Sequence, residues 1–378
     1  MIFFLTFVDM EQYVVSARKY RPATFDTVVG QLAITQTLKN AIQTKQLAQA
    51  YLFTGPRGVG KTTCARIFAK TINCMNPNAY GEACECCESC KAFNEGRSLN
   101  IHELDAASNN SVDDIRSLVE QVRIPPQIGK YSVYIIDEVH MLSTGAFNAF
   151  LKTLEEPPAY AVFILATTEK HKILPTILSR CQIYNFNRIG VKQTIEHLKY
   201  IAAKEGISVD DNALDIIAQK ADGGMRDALS IFDQVANFCQ GHITYDKVIQ
   251  DLNVLDYDYY FRLTELAYLG KVSDSMLLVN EILSKGFDGG LLMSGMGRHI
   301  RDVLVSKDPQ TVKLLEMGQE LQARYVKQGA DCSTDFLFEA LKVLEQGEAH
   351  YKYTIEKRLC VELTLIKLCQ INELKKKS

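Results

Sequence analysis

At 378 residues the chain has room for two or three domains of about 100–200 residues each, and its 47% hydrophobic and 23% charged content is ordinary for a globular protein with a buried core. A formal charge of −3 excludes neither nucleic acid nor protein partners, because a basic face can hide inside a near-neutral total. No stretch approaches the roughly 20 apolar residues that cross a bilayer, so no membrane association is expected.

The N-terminal "MIFFLTFVD" is apolar, but it lacks a basic leading region and a small-residue cleavage site, which makes it a poor export signal. Met10, opening "MEQYVVSARKYRP", reads as the natural start in place of Met1, with residues 1 to 9 an upstream extension. The expected setting is then a reducing cytoplasm, where clustered thiols bind metal or do redox chemistry rather than cross-link.

Apolar positions recur at helical spacing through 32–46. "AYLFT" (50–54) is a short apolar run broken by glycine, as a buried strand is, and "TCARIFAKTI" continues as a helix. Between them Gly55, Pro56, Arg57, Gly58, Val59, Gly60, Lys61 and Thr62, followed by Thr63, fit G-x-x-x-x-G-K-[ST]. In that pattern glycines let backbone N–H groups turn inward around phosphates, and the next helix points its positive end at them. Lys61 is expected between the β and γ phosphates, and the Thr62 hydroxyl on Mg²⁺. The following stretch, "CMNPNAYGEACECCESC", crowds together Cys74, Cys84, Cys86, Cys87 and Cys90 out of eleven cysteines in all. Without export, a metal site or a redox centre fits better than a disulfide knot.

Strand-like and helical runs then alternate: "IHELDA" (101–106), "DDIRSLVEQV" (113–122), "SVYIID" (132–137), "GAFNAFLKTLEE" (145–156), "VFILAT" (162–167) and "QIYNF" (182–186). That alternation predicts an α/β domain with a mostly parallel sheet covered on both faces. "VYIIDEVH" sets Asp137 and Glu138 at the end of an apolar strand, where an acid is costly without a partner or a task. Behind a phosphate loop the task is Mg²⁺ binding for Asp137 and activation of the attacking water for Glu138. His140 reads as a structural histidine. Thr167 and Thr168 place hydroxyls at the next strand tip, "ILSRC" supplies Arg180, and "GGMRDALS" supplies Arg226.

After about residue 188 the pattern turns helical, with no convincing strands. Three parts follow: an α/β domain over 1–188 with the thiol cluster at 74–90, a small helical domain over 189–252, and a helical domain over 253–378. The closing "KKKS" reads as a solvated tail or as the point where a longer protein was cut.

Five segments carry a family likeness: "ARKYRPATFDTVVGQ" (17–31), "AYLFTGPRGVGKTTCARIFAKTINC" (50–74), "YIIDEVHMLSTGAFNAFLKTLEEPP" (134–158), "ILPTILSRC" (173–181) and "GGMRDALS" (223–230). Together they resemble the AAA+ ATPases, and within them the gamma/tau family of bacterial DNA polymerase III clamp-loader subunits. The resemblance is dense through residue 240 and weaker to the end, where "LCVELTLIKL" looks like the close of that family's third domain. It implies an AAA+ P-loop domain with a parallel sheet and a zinc module, then a helical lid domain, then an all-helical collar domain for oligomerisation. By the same likeness Arg180 matches the arginine finger that reaches ATP on a neighbouring subunit. Thr168 matches the sensor-1 position and Arg226 sensor 2, while Arg21, Pro22 and Val29 lie in segments that pack around adenine. Cys74, Cys84, Cys87 and Cys90 match the family's zinc module, and a set of four cysteines suits closed tetrahedral zinc. Cys86 departs from the simple pattern as a competing ligand.

The resemblance further implies ATP, Mg²⁺ and Zn²⁺ as cofactors. Implied partners are delta, delta-prime and further gamma/tau copies, the sliding clamp, and primer-template DNA held without sequence preference. The expected function is an ATP-driven motor that opens and loads the clamp within the polymerase holoenzyme, without polymerising. One alternative is another AAA+ DNA-processing ATPase, such as a Holliday-junction motor or helicase loader, which would lack the four-cysteine insert. The other is a non-hydrolysing delta-prime-like subunit, against which the intact Lys61, Thr62, Asp137 and Glu138 speak.

Overall fold

A computed structural model describes residues 14–239, 241–252, 255–315 and 317–377, apart from the side chains of 319, 320 and 373–377. The readings of Met1 and Met10, and of the "KKKS" side chains, lie outside these residues. Two compact units divide the chain: one runs to Glu205 and takes in Ile217–Gln234, and the other holds Gly206–Ile216 and the chain from Val235.

The first unit is built on five strands, β1 (Ala50–Thr54), β2 (Ile101–Asp105), β3 (Ser132–Asp137), β4 (Ala161–Thr167) and β5 (Gln182–Asn185). All pair in parallel, in the order β2-β3-β4-β1-β5. Its longer helices are α1 (Leu32–Gln43), α2 (Lys61–Ile72), α3 (Glu88–Asn94), α4 (Val112–Val122), α5 (Thr144–Glu155) and α6 (Val191–Glu205). The expected strands and helices fall on these elements with ends shifted by a few residues at most.

A parallel sheet covered on both faces needs strands that are apolar on both sides. Tyr51 and Phe53 of β1 therefore pack with Leu38 of α1 and Ile67 and Phe68 of α2, while Leu52 joins Ile115 of α4 and Phe150 of α5 on the opposite face. In β4, Ile164 and Ala166 go one way and Phe163 and Leu165 the other. Ser111 starts α4 with a capping box, its hydroxyl accepting the Asp114 N–H while the Asp114 carboxylate accepts the Ser111 N–H. Because β1 lies between β4 and β5, chain order reverses there, and the carboxyl ends of the strands open a crevice of the kind that binds ligands.

Helices α7 (Asp211–Lys220) and α8 (Met225–Cys239) each cross the division between the units. The second unit contains one departure from expectation. Strands β6 (Ser208–Val209) and β7 (His242–Ile243) pair in parallel, and two residues apiece are too few to show alternation in sequence. The rest is helical: α9 (Tyr245–Leu252), α10 (Tyr257–Tyr268), α11 (Val272–Ser284), α12 (Gly289–Val305), α13 (Gln319–Asp331), α14 (Thr334–Tyr353) and α15 (Lys357–Lys377). Met296 and Ile300 of α12, Phe336 and Leu337 of α14, and Leu365 and Leu368 of α15 share one core. Among the described residues no helix is long and apolar enough to cross a membrane.

His299 of α12 is buried in that core, with Nδ1 3.0 Å from the Tyr325 hydroxyl and Nε2 2.8 Å from Gln328 Oε1. Burial is the main cause that pushes it down to about 4 from an ordinary 6.5. The unfolded chain then binds this proton first, so stability is lost as the pH falls from about 6.5 towards 4, on the order of 3 kcal/mol in total. Thermal melts of the helical unit across that range should show a declining midpoint whose slope is smaller in His299→Gln. Equal slopes in both proteins would contradict the assignment.

Candidate functional site

The loop from Gly55 to Gly60 leaves the carboxyl end of β1 and runs straight into α2 at Lys61. Gly55 has φ of +149°, and a Cβ there would stand 2.4 Å from the Phe186 carbonyl oxygen. No L side chain fits without moving β5's continuation. Gly58, at φ +75°, faces Gly224, whose Cα would lie 3.2 Å from an added Cβ. The two glycines thus let the start of α8 approach the loop, and the Arg226 N–H points at the Gly58 carbonyl at 3.4 Å.

Lys61 is buried, and its ammonium donates to the Gly55 and Pro56 carbonyls at 2.8 and 2.7 Å. Burial pulls its pKa down, opposed by the charges of Glu138 and Asp137. Thr62 donates its hydroxyl to Asp137 Oδ2 at 2.7 Å, joining the first turn of α2 to the end of β3. Asp137 Oδ1 accepts the Glu138 N–H at 3.0 Å. Glu138 has a left-handed backbone (φ +46°), and its Oε2 accepts both the Thr168 hydroxyl (3.0 Å) and the Thr168 N–H (3.2 Å). Arg21 donates from Nε to Thr63 Oγ1 at 3.3 Å, and its pKa is lowered first by burial and then by the nearby Arg66.

A cavity of about 780 Å³, within the roughly 300–1,000 Å³ usual for ligand sites, opens over this loop. Of the expected residues, Arg21, Pro22 and Val29, Arg57 through Thr63, Asp137, Glu138 and Arg226 line it. Gly55 and Pro56 do not; they form the loop's base. Thr168 acts on the cavity only through Glu138. Arg180 is not among the lining residues, and its guanidinium binds Glu155 Oε1 at 2.7 Å and the Thr176 carbonyl at 2.6 Å.

Sequence reasoning missed Glu103 and Asp105, which line the cavity from the end of β2, where Asp105 stands in register with Asp137. "IHELDA" carries the same signal as "VYIID", an acid at a strand end. Glu103 pairs with Arg66 of α2, whose guanidinium lies 4.7 Å from the Phe93 ring centre of α3. His197 of α6 lines the cavity too and had no sequence signal. His140, read as structural, lies within 3.4 Å of Glu138 Oε2.

The thiol cluster is a second site. The sulfurs of Cys74, Cys84, Cys87 and Cys90 all lie within 4.8 Å of one another, with Cys74 and Cys87 at 4.0 Å. A tetrahedral ion with metal–sulfur bonds of about 2.3 Å asks for sulfurs about 3.8 Å apart, whereas a disulfide needs about 2.05 Å. The Cys84 N–H points at Cys74 Sγ and the Cys87 N–H at Cys84 Sγ, both at 3.3 Å. Backbone N–H groups of Cys86 and Cys87 hold the Cys84 thiol down to about 6, whereas burial pushes the Cys74 and Cys90 thiols up. Cys86 is exposed and stands outside the quartet, because the turn that brings Cys84 and Cys87 to the cluster leaves Cys86 facing solvent.

Comparison with known proteins adds relatives for most of the chain. A family model described as DNA polymerase III, delta subunit, matches residues 30–190, and one described as the clamp loader subunit ATPase lid domain matches 193–241. DNA polymerase III subunit gamma of Buchnera aphidicola subsp. Acyrthosiphon pisum is 34% identical over 94% of this chain and 98% of its own length. DNA polymerase III subunit tau of Bacillus subtilis is 41% identical over 93% of this chain, and that of Escherichia coli 37% over 94%. The chain spans only 62% and 55% of those two longer relatives. A Thermotoga maritima RuvB Holliday junction branch migration motor aligns over 65% of this chain and 78% of its own at 21% identity, with a TM-score of 0.46, on which no argument rests.

Gly55→Ala should cost about 1–3 kcal/mol in chemical denaturation, from the clash and the positive φ together. An unchanged midpoint would show that the loop relaxes freely.

Proposed function

The chain belongs to the gamma/tau family of DNA polymerase III subunits, and from that premise we propose that it is an ATP-hydrolysing motor of the replicative clamp loader. The single observation behind the activity is the joint between loop and acid. Lys61 is held at the head of α2, Thr62 and Asp137 touch, and Glu138 and Arg226 face the same cavity.

ATP fits this cavity with its triphosphate on the N–H groups of the 57–62 loop and its base against the segments of Arg21, Pro22 and Val29. Lys61 turns from the loop carbonyls to the β and γ phosphates. Thr62 and Asp137 would hold Mg²⁺, which when bound would offset the charge developing on the phosphates. Glu138 orients the attacking water and takes its proton, and Thr168 holds Glu138 in place. Arg226 approaches the nucleotide from α8. Arg180 serves the site of a neighbouring copy, a role supported by the family likeness of "ILSRC".

In this reading residues 1–188 form the AAA+ domain, 189–252 the lid and 253–378 an oligomerising collar. Partners are delta, delta-prime, further gamma/tau copies, the sliding clamp and primer-template DNA, in the cytoplasm. ATP would favour the clamp-opening state by differential affinity, and hydrolysis would release the clamp closed. Backbone amides and scattered cations on DNA phosphates make the grip independent of sequence and sensitive to salt. The thiol quartet is proposed to hold structural Zn²⁺, since the sulfur spacing and inward N–H groups suit a tetrahedral ion.

Reconstituted with its partners, the chain should place clamps on primed DNA only with hydrolysable ATP. In that assembly Arg180→Ala should keep ATP affinity but slow DNA-stimulated turnover by about 100-fold or more. Unchanged turnover would remove the trans role. Elemental analysis should find one zinc per chain, with Cys87→Ser losing both metal and thermal stability and Cys86→Ser losing neither. Full zinc in Cys87→Ser would contradict the quartet.

A further inference from the structure

The tip of β4 grips Glu138 through more than Thr168. The His140 side chain, 8% exposed, lies between the two strand ends. Its Nδ1 is 3.0 Å from Thr167 Oγ1 and 3.4 Å from Glu138 Oε2, and its Nε2 is 3.2 Å from Glu169 Oε2. Thr167 is fully buried, and its hydroxyl oxygen also accepts the Glu169 N–H at 3.0 Å. Lys172 binds the same Glu169 oxygen at 2.5 Å, so the far side of the imidazole rests on a carboxylate that is itself tied down.

This arrangement bears on a specific difficulty. Glu138 takes a left-handed backbone that a non-glycine residue holds only when its surroundings over-determine it. Its carboxylate carries a flexible side chain into an open cavity, where a general base works only if it is aimed. Thr168 donates to Oε2 through its hydroxyl and its N–H, and His140 Nδ1 lies 3.4 Å from the same oxygen. Unlike His299, whose ring meets Tyr325 and Gln328 inside the helical core, the His140 ring meets the base and the residues at the end of β4.

We propose that His140 is a positioning residue for hydrolysis, aiming the Glu138 carboxylate through its Nδ1 edge while Glu169 anchors its Nε2 edge. The proposal rests on the ATPase reading above, because Glu138 needs aiming only if it acts on water. It also makes the two ring nitrogens unequal. An asparagine side chain reproduces the Nδ1 position, and a glutamine reproduces Nε2.

The test uses the full chain in the reconstituted loader, with single-turnover ATP hydrolysis, equilibrium binding of ATPγS and thermal midpoints. His140→Ala should lower turnover by about 10- to 100-fold, a fraction of what general-base catalysis supplies, with ATPγS affinity unchanged. His140→Asn should recover most of the rate and His140→Gln little of it. Should the alanine variant fold poorly, the Asn and Gln variants, both polar amides that differ by one methylene, carry the comparison. Normal turnover in His140→Ala, or equal rates in Asn and Gln, overturns the proposal while leaving the ATPase intact. A wild-type assembly that binds no ATPγS overturns both.

Discussion

One hydrogen bond fixes the working geometry of the first unit: the Thr62 hydroxyl on Asp137 Oδ2 at 2.7 Å. It ties the helix that follows the glycine loop to the end of β3, across a sheet in which β4 separates β1 from β3. An acid at the end of a buried strand is tolerable because it has this hydroxyl and the Glu138 N–H as partners. The same contact sets the loop beside both acids, so the loop residues and the Glu138 carboxylate share one cavity. Gly55 and Gly58 make the approach possible, the first by admitting the Phe186 carbonyl and the second by admitting Gly224.

The thiol module is fastened to that centre rather than hung from it. Glu82 is buried and accepts the N–H groups of Phe25 and Asp26 at 3.1 and 3.2 Å, with the Lys39 ammonium 2.9 Å away. A buried carboxylate is costly unless it is paired and hydrogen-bonded, and this one is both. On its other side Phe93 of α3 lies against Arg66, which pairs with Glu103 at the cavity edge. The thiol module and one wall of the cavity are therefore joined through Phe93, Arg66 and Glu103.

The parallel sheet was readable because buried strands leave unbroken apolar runs, as in "AYLFT" and "VFILAT", each ended by a threonine. The loop was readable because its glycines and lysine stand at fixed spacing. What stayed hidden depends on contacts between distant positions. No local pattern says that Arg180 binds Glu155, that Glu103 pairs with Arg66, or that His140 touches Glu138 through the tip of another strand. The β6–β7 pair was invisible for a different reason, since two residues cannot display a period. Cys86 was ambiguous in sequence because spacing does not tell which side of a turn a thiol faces, and the backbone settles that at once.

The proposed motor requires a nucleoside triphosphate seated against the N–H groups of the glycine loop. Isothermal titration of the purified chain with ATP and Mg²⁺ measures that seat most directly. One saturable site per chain, abolished by Lys61→Ala, is the predicted result. Absence of binding in the wild-type chain, or binding that survives loss of the lysine, would contradict it.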